Sequence, residues 1–189
     1  MKTGSTRCFI SSPGQLADKV VTTEKIDDLA VDEYKINDAA IYPIHLSDII
    51  KSSRAHAYRS TDQSYSANTN TKVQFDKKSF DLAYQYDDTT NFRFTVASGY
   101  AGQHVVHAQL TIAGRSTAGN IIVRIMMNGS VRQESRRAYS GDSVNFTVDA
   151  LIVLDLVEGD YLEIAVYDSQ AGTIKGGPGM SYFEVYRLP

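Results

Sequence analysis

The sequence predicts an all-β protein: an antiparallel sandwich or jelly roll over residues 53–189, preceded by an extended N-terminal stalk in which identical chains intertwine. Three observations carry that expectation. Apolar residues recur at every second position in a series of short runs, turn residues cluster between the runs, and residues 16–46 carry a different row of apolar residues spaced by five. Successive side chains of a strand point to opposite faces, so apolar residues two apart share one face, which is offered to a core. Gly, Asn, Asp and Ser at the breaks let each strand fold back on the one before it.

Residues 1–15 show neither period and are expected to anchor the chain to a partner. From there the row of five runs Leu16, Val21, Ile26, Val31, Ile36, Ile41, Leu46, and TEKIDDLAV (residues 23–31) is repeated by EYKINDAAI (residues 33–41). A step of five advances about 140° around a helix and alternates faces on a strand, so a single chain cannot bury the row. A right-angled solenoid of five-residue repeats would need a small residue two places before each apolar one, where Lys19, Glu24 and Tyr34 stand. Identical chains wound about one axis can each supply one apolar residue per level, as repeat units hide their apolar side on a neighbour. The plain alternative is a solvated acidic linker with accidental spacing. Pro43 ends the regular pattern, Ser47 could cap a short turn, and the register is lost at Lys51, so residues 16–52 read as stalk and neck.

The runs of the head follow. They are Phe80, Leu82, Tyr84, Tyr86; then Phe92, Phe94, Val96; then Val106 to Ile112; then Ile121 to Met127. After them come Val144 to Leu154, Leu162 to Val166, and a last run with Tyr182, Tyr186 and Leu188 on one face and Phe183 and Val185 on the other. Turn signals separate them at Asp87-Asp88, Ser98-Gly99, Ala113-Gly114, Asn128-Gly129, Ser140-Gly141-Asp142, Glu158-Gly159-Asp160 and Gly176 to Gly179. The stretch ALIVLDL (150–156) and the last run are apolar on both faces, which places them under a subunit contact.

Composition narrows the function. A chain of 189 residues with 42% hydrophobic and 22% charged residues can bury one domain and carry an appendage. Its net charge of −3 gives no basic surface for nucleic acid. One cysteine, Cys8, excludes an internal disulfide and a multi-cysteine zinc site. No run of about 18 apolar residues could span a bilayer, and the first residues lack a signal h-region, so neither membrane insertion nor ordinary secretion is expected.

Several segments carry a resemblance. YDDTTNFRFTVASGYAGQHVVHAQLTI (86–112), VRIMMNGSVRQ (123–133), LIVLDLVEGDYLEIAVYDSQAG (151–172) and the closing GGPGMSYFEVYRLP resemble the C1q/tumour-necrosis-factor jelly roll. LDLVEGDYLEI followed by SYFEVYRL is the specific part, whereas Asn128-Gly129 alone marks any hairpin. The inserted Ala101-Gly102-Gln103-His104 departs from the family's pattern at the entry of one strand. KVVTTEKIDDLAVDEYKINDAAI looks like the repeats of bacteriophage fibre proteins. The resemblance implies a compact homotrimer with its terminal strands near the threefold axis, and Tyr182, Phe183, Val185, Tyr186 and Leu188 as head interface residues.

Candidate chemistry is sparse. His104 and His107 are three apart on a strand and face opposite ways, so one chain cannot join them on a metal, although three copies of one histidine could ring an axis. Asp87, Asp88, Asp142, Asp155, Asp160 and Asp168 offer oxygens for Ca²⁺ without forming the alternating loop such a site uses. No nucleophile elbow, His-Glu-x-x-His, phosphate loop or dinucleotide fingerprint appears, and an enzyme is not expected. Arg132, Arg136, Arg137 and Tyr139, after the Asn-Gly turn, are the candidate binding residues on an exposed hairpin. The expectation is a virion-surface protein made in the host cytoplasm: a trimeric phage fibre or spike whose head binds a host-surface glycan or protein and whose N-terminus docks to another virion protein. The alternatives are a capsid or head-fibre decoration protein without a receptor role, and a bacterial C1q-like surface protein.

Overall fold

The computed structural model describes residues 53–188, which form two antiparallel sheets with no helix among the described residues. The expected anchor (1–15) and the stalk contacts Leu16, Val21, Ile26, Val31, Ile36, Ile41 and Leu46 lie outside the described residues. In chain order the strands are β1 (Arg54–Tyr58), β2 (Gln63–Tyr65), β3 (Thr71–Lys72), β4 (Lys77–Asp81), β5 (Tyr86–Asp87), β6 (Arg93–Thr95) and β7 (Gly102–Ile112). They continue with β8 (Gly119–Met127), β9 (Ser130–Tyr139), β10 (Phe146–Leu156), β11 (Tyr161–Asp168), β12 (Gly172–Ile174) and β13 (Tyr182–Arg187).

The first sheet is organised around β7. β10 runs along one edge of β7 for its whole length, from Phe146 opposite Ile112 to Leu156 opposite Gly102. The other edge takes β13 over His104 to Gln109 and β12 at Ile112. β1 and then β4 continue outward from β13, and β2 from β12. The second sheet has the order β5-β6-β11-β8-β9, with β3 also on β11. Apart from the β5–β6 and β8–β9 pairs, neighbours in each sheet come from distant parts of the chain, the crossing pattern of a jelly roll rather than of a meander.

Alternation explains which side chains fill the gap between the sheets. Leu110 and Ile112 from β7, Ile121 and Ile125 from β8, Leu156 from β10, Leu162 and Ile164 from β11 and Ile174 from β12 are all buried. Phe183 stacks on Phe75 at 6.0 Å and meets Tyr86 at 5.9 Å, closing the core under β13. Each such side chain contributes about 1.5–3 kcal/mol by leaving water. The Asn128-Gly129 turn between β8 and β9 has φ of 51° and 77° at its two residues, the left-handed pair that a two-residue hairpin requires.

Two of the expected runs are corrected. Phe80, Leu82, Tyr84 and Tyr86 do not form one strand with a buried face, because the chain turns after Asp81. The Asp81 carboxylate accepts the backbone N–H of Gln85 at 2.9 Å and of Tyr86 at 3.0 Å, so residues 82–85 form a turn. Tyr84 stands there at a φ of 52° with 92% of its surface exposed. Val144 likewise precedes β10 in an exposed loop. Conversely, β9 is a polar strand of ten residues that apolar alternation does not reveal.

Candidate functional site

The first sheet presents its outer face to solvent, and the residues on it follow from register. One row across β10, β7, β13, β1 and β4 is Asp149, Gln109, Tyr182, Tyr58 and Lys77; the next is Leu151, His107, Glu184, His56 and Phe80; the third is Val153, Val105, Tyr186 and Arg54. Leu151 is 57% exposed, Val153 50%, Phe80 44% and Tyr186 42%. A soluble surface rarely gathers large apolar side chains this closely without a partner. On β10 the inward side chains Val148, Ala150 and Leu156 are buried, so the strand is apolar on both faces, as its sequence indicates.

The five expected head-interface residues divide between the faces. Tyr182 and Tyr186 point outward, whereas Phe183 and Val185 are buried in the core of their own chain at 2% and 1% exposure. Leu188 follows β13, and its backbone N–H donates to Gln103 at 2.8 Å. Any contact between copies through this strand therefore uses Tyr182 and Tyr186, with β10 supplying Leu151 and Val153. The inward pair lacks the access that a partner needs.

The expected hairpin site is also divided. Arg136 and Arg137 project from opposite faces of β9, as adjacent strand residues must. Arg132 lies in the β8–β9 register shift, where β9 passes from Val131 opposite Met126 to Gln133 opposite Ile125. Only Arg137 and Tyr139 share a place: with Ser140, Asp142, Asn145 and Phe146 they line a groove of about 430 Å³ between the end of β9 and the start of β10. The Arg137 guanidinium lies 5.1 Å from the Phe146 ring centre and donates to the Thr147 carbonyl at 2.6 Å. Tyr139 stacks on the same ring at 5.3 Å.

Tyr139 is not an exposed hairpin residue. Its hydroxyl donates to Asp168 Oδ1 at 2.7 Å inside the sandwich. Asp168, fully buried at the end of β11, also accepts from Tyr65 at 2.7 Å, from Arg115 at 2.9 Å and from the Gln170 backbone at 3.0 Å. Burial raises the Asp168 carboxyl, but these four donors outweigh it and hold the group below the ordinary carboxylate range. Burial, together with the Asp168 acceptor, pushes both phenols up, so they stay protonated donors. This knot ties β2, β9, β11 and the β7–β8 loop together, and nothing in the spacing of Tyr65, Arg115, Tyr139 and Asp168 along the chain announces it.

The other candidates take local roles. Asp87 accepts the backbone N–H groups of Thr89, Thr90 and Asn91, which hold its carboxyl well below the usual range. Asp160 accepts from Val157 and Asn128, Asp142 from Val144, and Asp88 lies 3.6 Å from Lys78. The oxygens of Asp87 and Asp160 are thus engaged by turn donors rather than converging on a cation, and among the described residues no three His, Cys, Asp or Glu side chains gather to hold a metal. His104 points inward, is fully buried, and pairs Nδ1 with the Gly102 carbonyl at 2.9 Å; burial lowers its pKa. His107 points outward, so the two face opposite ways as their spacing predicts. No helix among the described residues is long and apolar enough to cross a membrane.

Comparison with known proteins agrees with this architecture. The described domain is similar to murine APRIL crystallised at pH 5.0, at 14% identity and a TM-score of 0.56 over 73% of this chain and all of that one. Eiger TNF from S. frugiperda matches at 14% identity and a TM-score of 0.56, over 73% of this chain and 93% of that one. The globular domain of the zebrafish complement 1qA protein matches at 16% and 0.51, over 72% of this chain and 98% of that one. The fold is the TNF/C1q jelly roll. In sequence, the chain is 30% identical over 131 residues to the phage-like element PBSX protein XkdV of Bacillus subtilis (strain 168), a match covering 63% of this chain. It spans only 19% of the length of that relative. No family model matches the chain.

Proposed function

We propose that this chain is a structural protein of a phage-type particle, and that its jelly-roll head self-associates, as a trimer, to recognise a host-surface receptor. The observation that carries the particle assignment is the similarity to a phage-like element protein over 131 residues, 63% of this chain. Self-association is supported by the outer face of the first sheet, where Leu151, Val153, Tyr186 and Phe80 stand exposed around a central polar row. Three copies about one axis would cover that face, and the period-five row of residues 16–46 fits an assembly of identical chains.

For the receptor, the groove of Arg137, Ser140, Asp142, Asn145 and Phe146 offers hydrogen-bonding groups beside a ring, the combination that meets a glycan. The particle assignment is tested by gold-labelled antibody against the head on particles from a producing cell. Regular labelling of fibres or vertices is expected, and label confined to free protein would remove it. The receptor role is tested by binding of the labelled full chain to purified bacterial cell walls. Saturable binding competed by wall glycan and weakened at least about tenfold by Asn145→Ala is expected, in keeping with the loss of one or two hydrogen bonds. A decoration protein without a receptor role is favoured by one observation: Arg137 and Tyr139 already occupy the Phe146 ring. That reading expects docking to particles and no binding to walls.

A further inference from the structure

The middle row of the outer face holds a titratable cluster. The Glu184 carboxylate lies between two imidazoles, with Oε1 3.6 Å from Nε2 of His56 and Oε2 3.6 Å from Nδ1 of His107. These are ion-pair separations, longer than a hydrogen bond. The Tyr182 ring fixes both imidazoles: His56 stacks on it at 5.3 Å, and His107 meets it edge-on at 5.5 Å. In a single chain the Glu184 side chain keeps 35% of its exposure, so water still solvates its charge.

We infer that self-association through this face takes up protons at the His56–Glu184–His107 cluster, so that the assembly tightens as pH falls from 8 to 6. The inference rests on the reading of the face as a contact between copies. A second copy is the occupant that the charges of this face favour. Asp149 and Asp155 lie on β10 at one side of it and Arg54 on β1 and Lys77 on β4 at the other, so the acidic side of one copy can meet the basic side of the next.

Covering the face removes the water around Glu184. A carboxylate beside two neutral imidazoles would carry an unbalanced negative charge into the contact, at a large desolvation cost. One added proton makes the cluster neutral, and a second makes it positive. The surrounding charges do not supply the compensation: Asp149 and Asp155 on β10 are offset by Arg54 on β1 and Lys77 on β4. The other polar groups on the face are the hydroxyls of Tyr58, Tyr182 and Tyr186 and the amides of Gln103 and Gln109. Of all these groups, imidazoles are the ones that ordinarily change charge between pH 6 and 8.

The geometry also says which imidazole takes the proton. Nδ1 of His56 is buried without a hydrogen-bond partner, so a second proton there would be a buried donor with no acceptor. A neutral His56 keeps its hydrogen on Nε2, facing Glu184. His107 is therefore the group that charges when the contact forms. Because the assembled state binds more protons than the separated chains, linkage favours assembly as pH falls through the imidazole range.

The test is a dilution series of the full chain followed by light scattering at pH 6, 7 and 8, with near-UV circular dichroism to show that each sample is folded. Where dilution does not separate the copies, the urea midpoint for dissociation replaces it. The concentration of half-assembly is expected to fall at least about tenfold from pH 8 to pH 6. His107→Asn and Glu184→Gln should each flatten that dependence, and His56→Asn should keep most of it. Equal midpoints at pH 6 and 8, tighter assembly at pH 8, or an undiminished slope in His107→Asn would overturn the inference while leaving the contact itself standing. A monomer at every pH and concentration would remove the contact along with it.

Discussion

Asp168 shows how much one side chain contributes to this sandwich. Its carboxylate takes hydrogen bonds from Tyr65, Tyr139, Arg115 and Gln170, and without it two phenols and a guanidinium lose their acceptor in a dry place. Asp168→Ala is expected to destabilise the chain by about 3–5 kcal/mol, read from chemical denaturation. Gly119 guards the same knot. A Cβ there would lie 2.3 Å from the Tyr139 hydroxyl and 2.9 Å from Ser169 Oγ, so Gly119→Ala must push the phenol off Asp168. Acid acts on the knot through the same carboxylate. The Asp168 and Asp87 carboxyls are held below their ordinary value, near 3.9, so the stability they contribute is present above that pH and is lost as pH falls through their lower folded values. A melting temperature that falls steeply below about pH 4 and little between pH 5 and 8 is the expected profile.

At the scale of strands and turns, the sequence was legible wherever one rule decided the outcome. Alternation located β7, β8, β10, β11 and β13 and assigned Phe183 and Val185 to the face opposite Tyr182 and Tyr186. It failed at β4, where Asp81 captures two backbone N–H groups and turns the chain despite continued alternation through Tyr84. It also missed β9, a polar strand held by pairing to β8 rather than by its own apolar face. The candidate site was less legible, because hydrogen-bonding partners such as Tyr65 and Asp168 lie 103 residues apart. The Asn128-Gly129 turn is a case where local chemistry alone sufficed. A Cβ on Gly129 meets only the Tyr161 hydroxyl, at 3.7 Å, so the cost of Gly129→Ala is the backbone's and should be about 1–2 kcal/mol. On β10, Leu151→Asp and Val153→Asp change exposed positions. They are expected to leave the single chain's unfolding free energy within about 0.5 kcal/mol and yet abolish association between copies.

The described head joins a core that is complete within one chain to an outer sheet face that the proposal assigns to another copy. Phe75, Phe94, Phe183 and the aliphatic residues around them close the sandwich without help, whereas Leu151, Val153, Phe80 and Tyr186 remain in water on the face that also carries His56, His107 and Glu184. The proposed self-association and the proton uptake both depend on a second copy covering that face. Native mass by light scattering at pH 7, comparing the full chain with Leu151→Asp/Val153→Asp, tests this directly. About three times 20.9 kDa is expected for the unaltered chain and the mass of a single chain for the variant. A mass of 20.9 kDa for the unaltered chain at all concentrations, or an undiminished trimer in the variant, would contradict it.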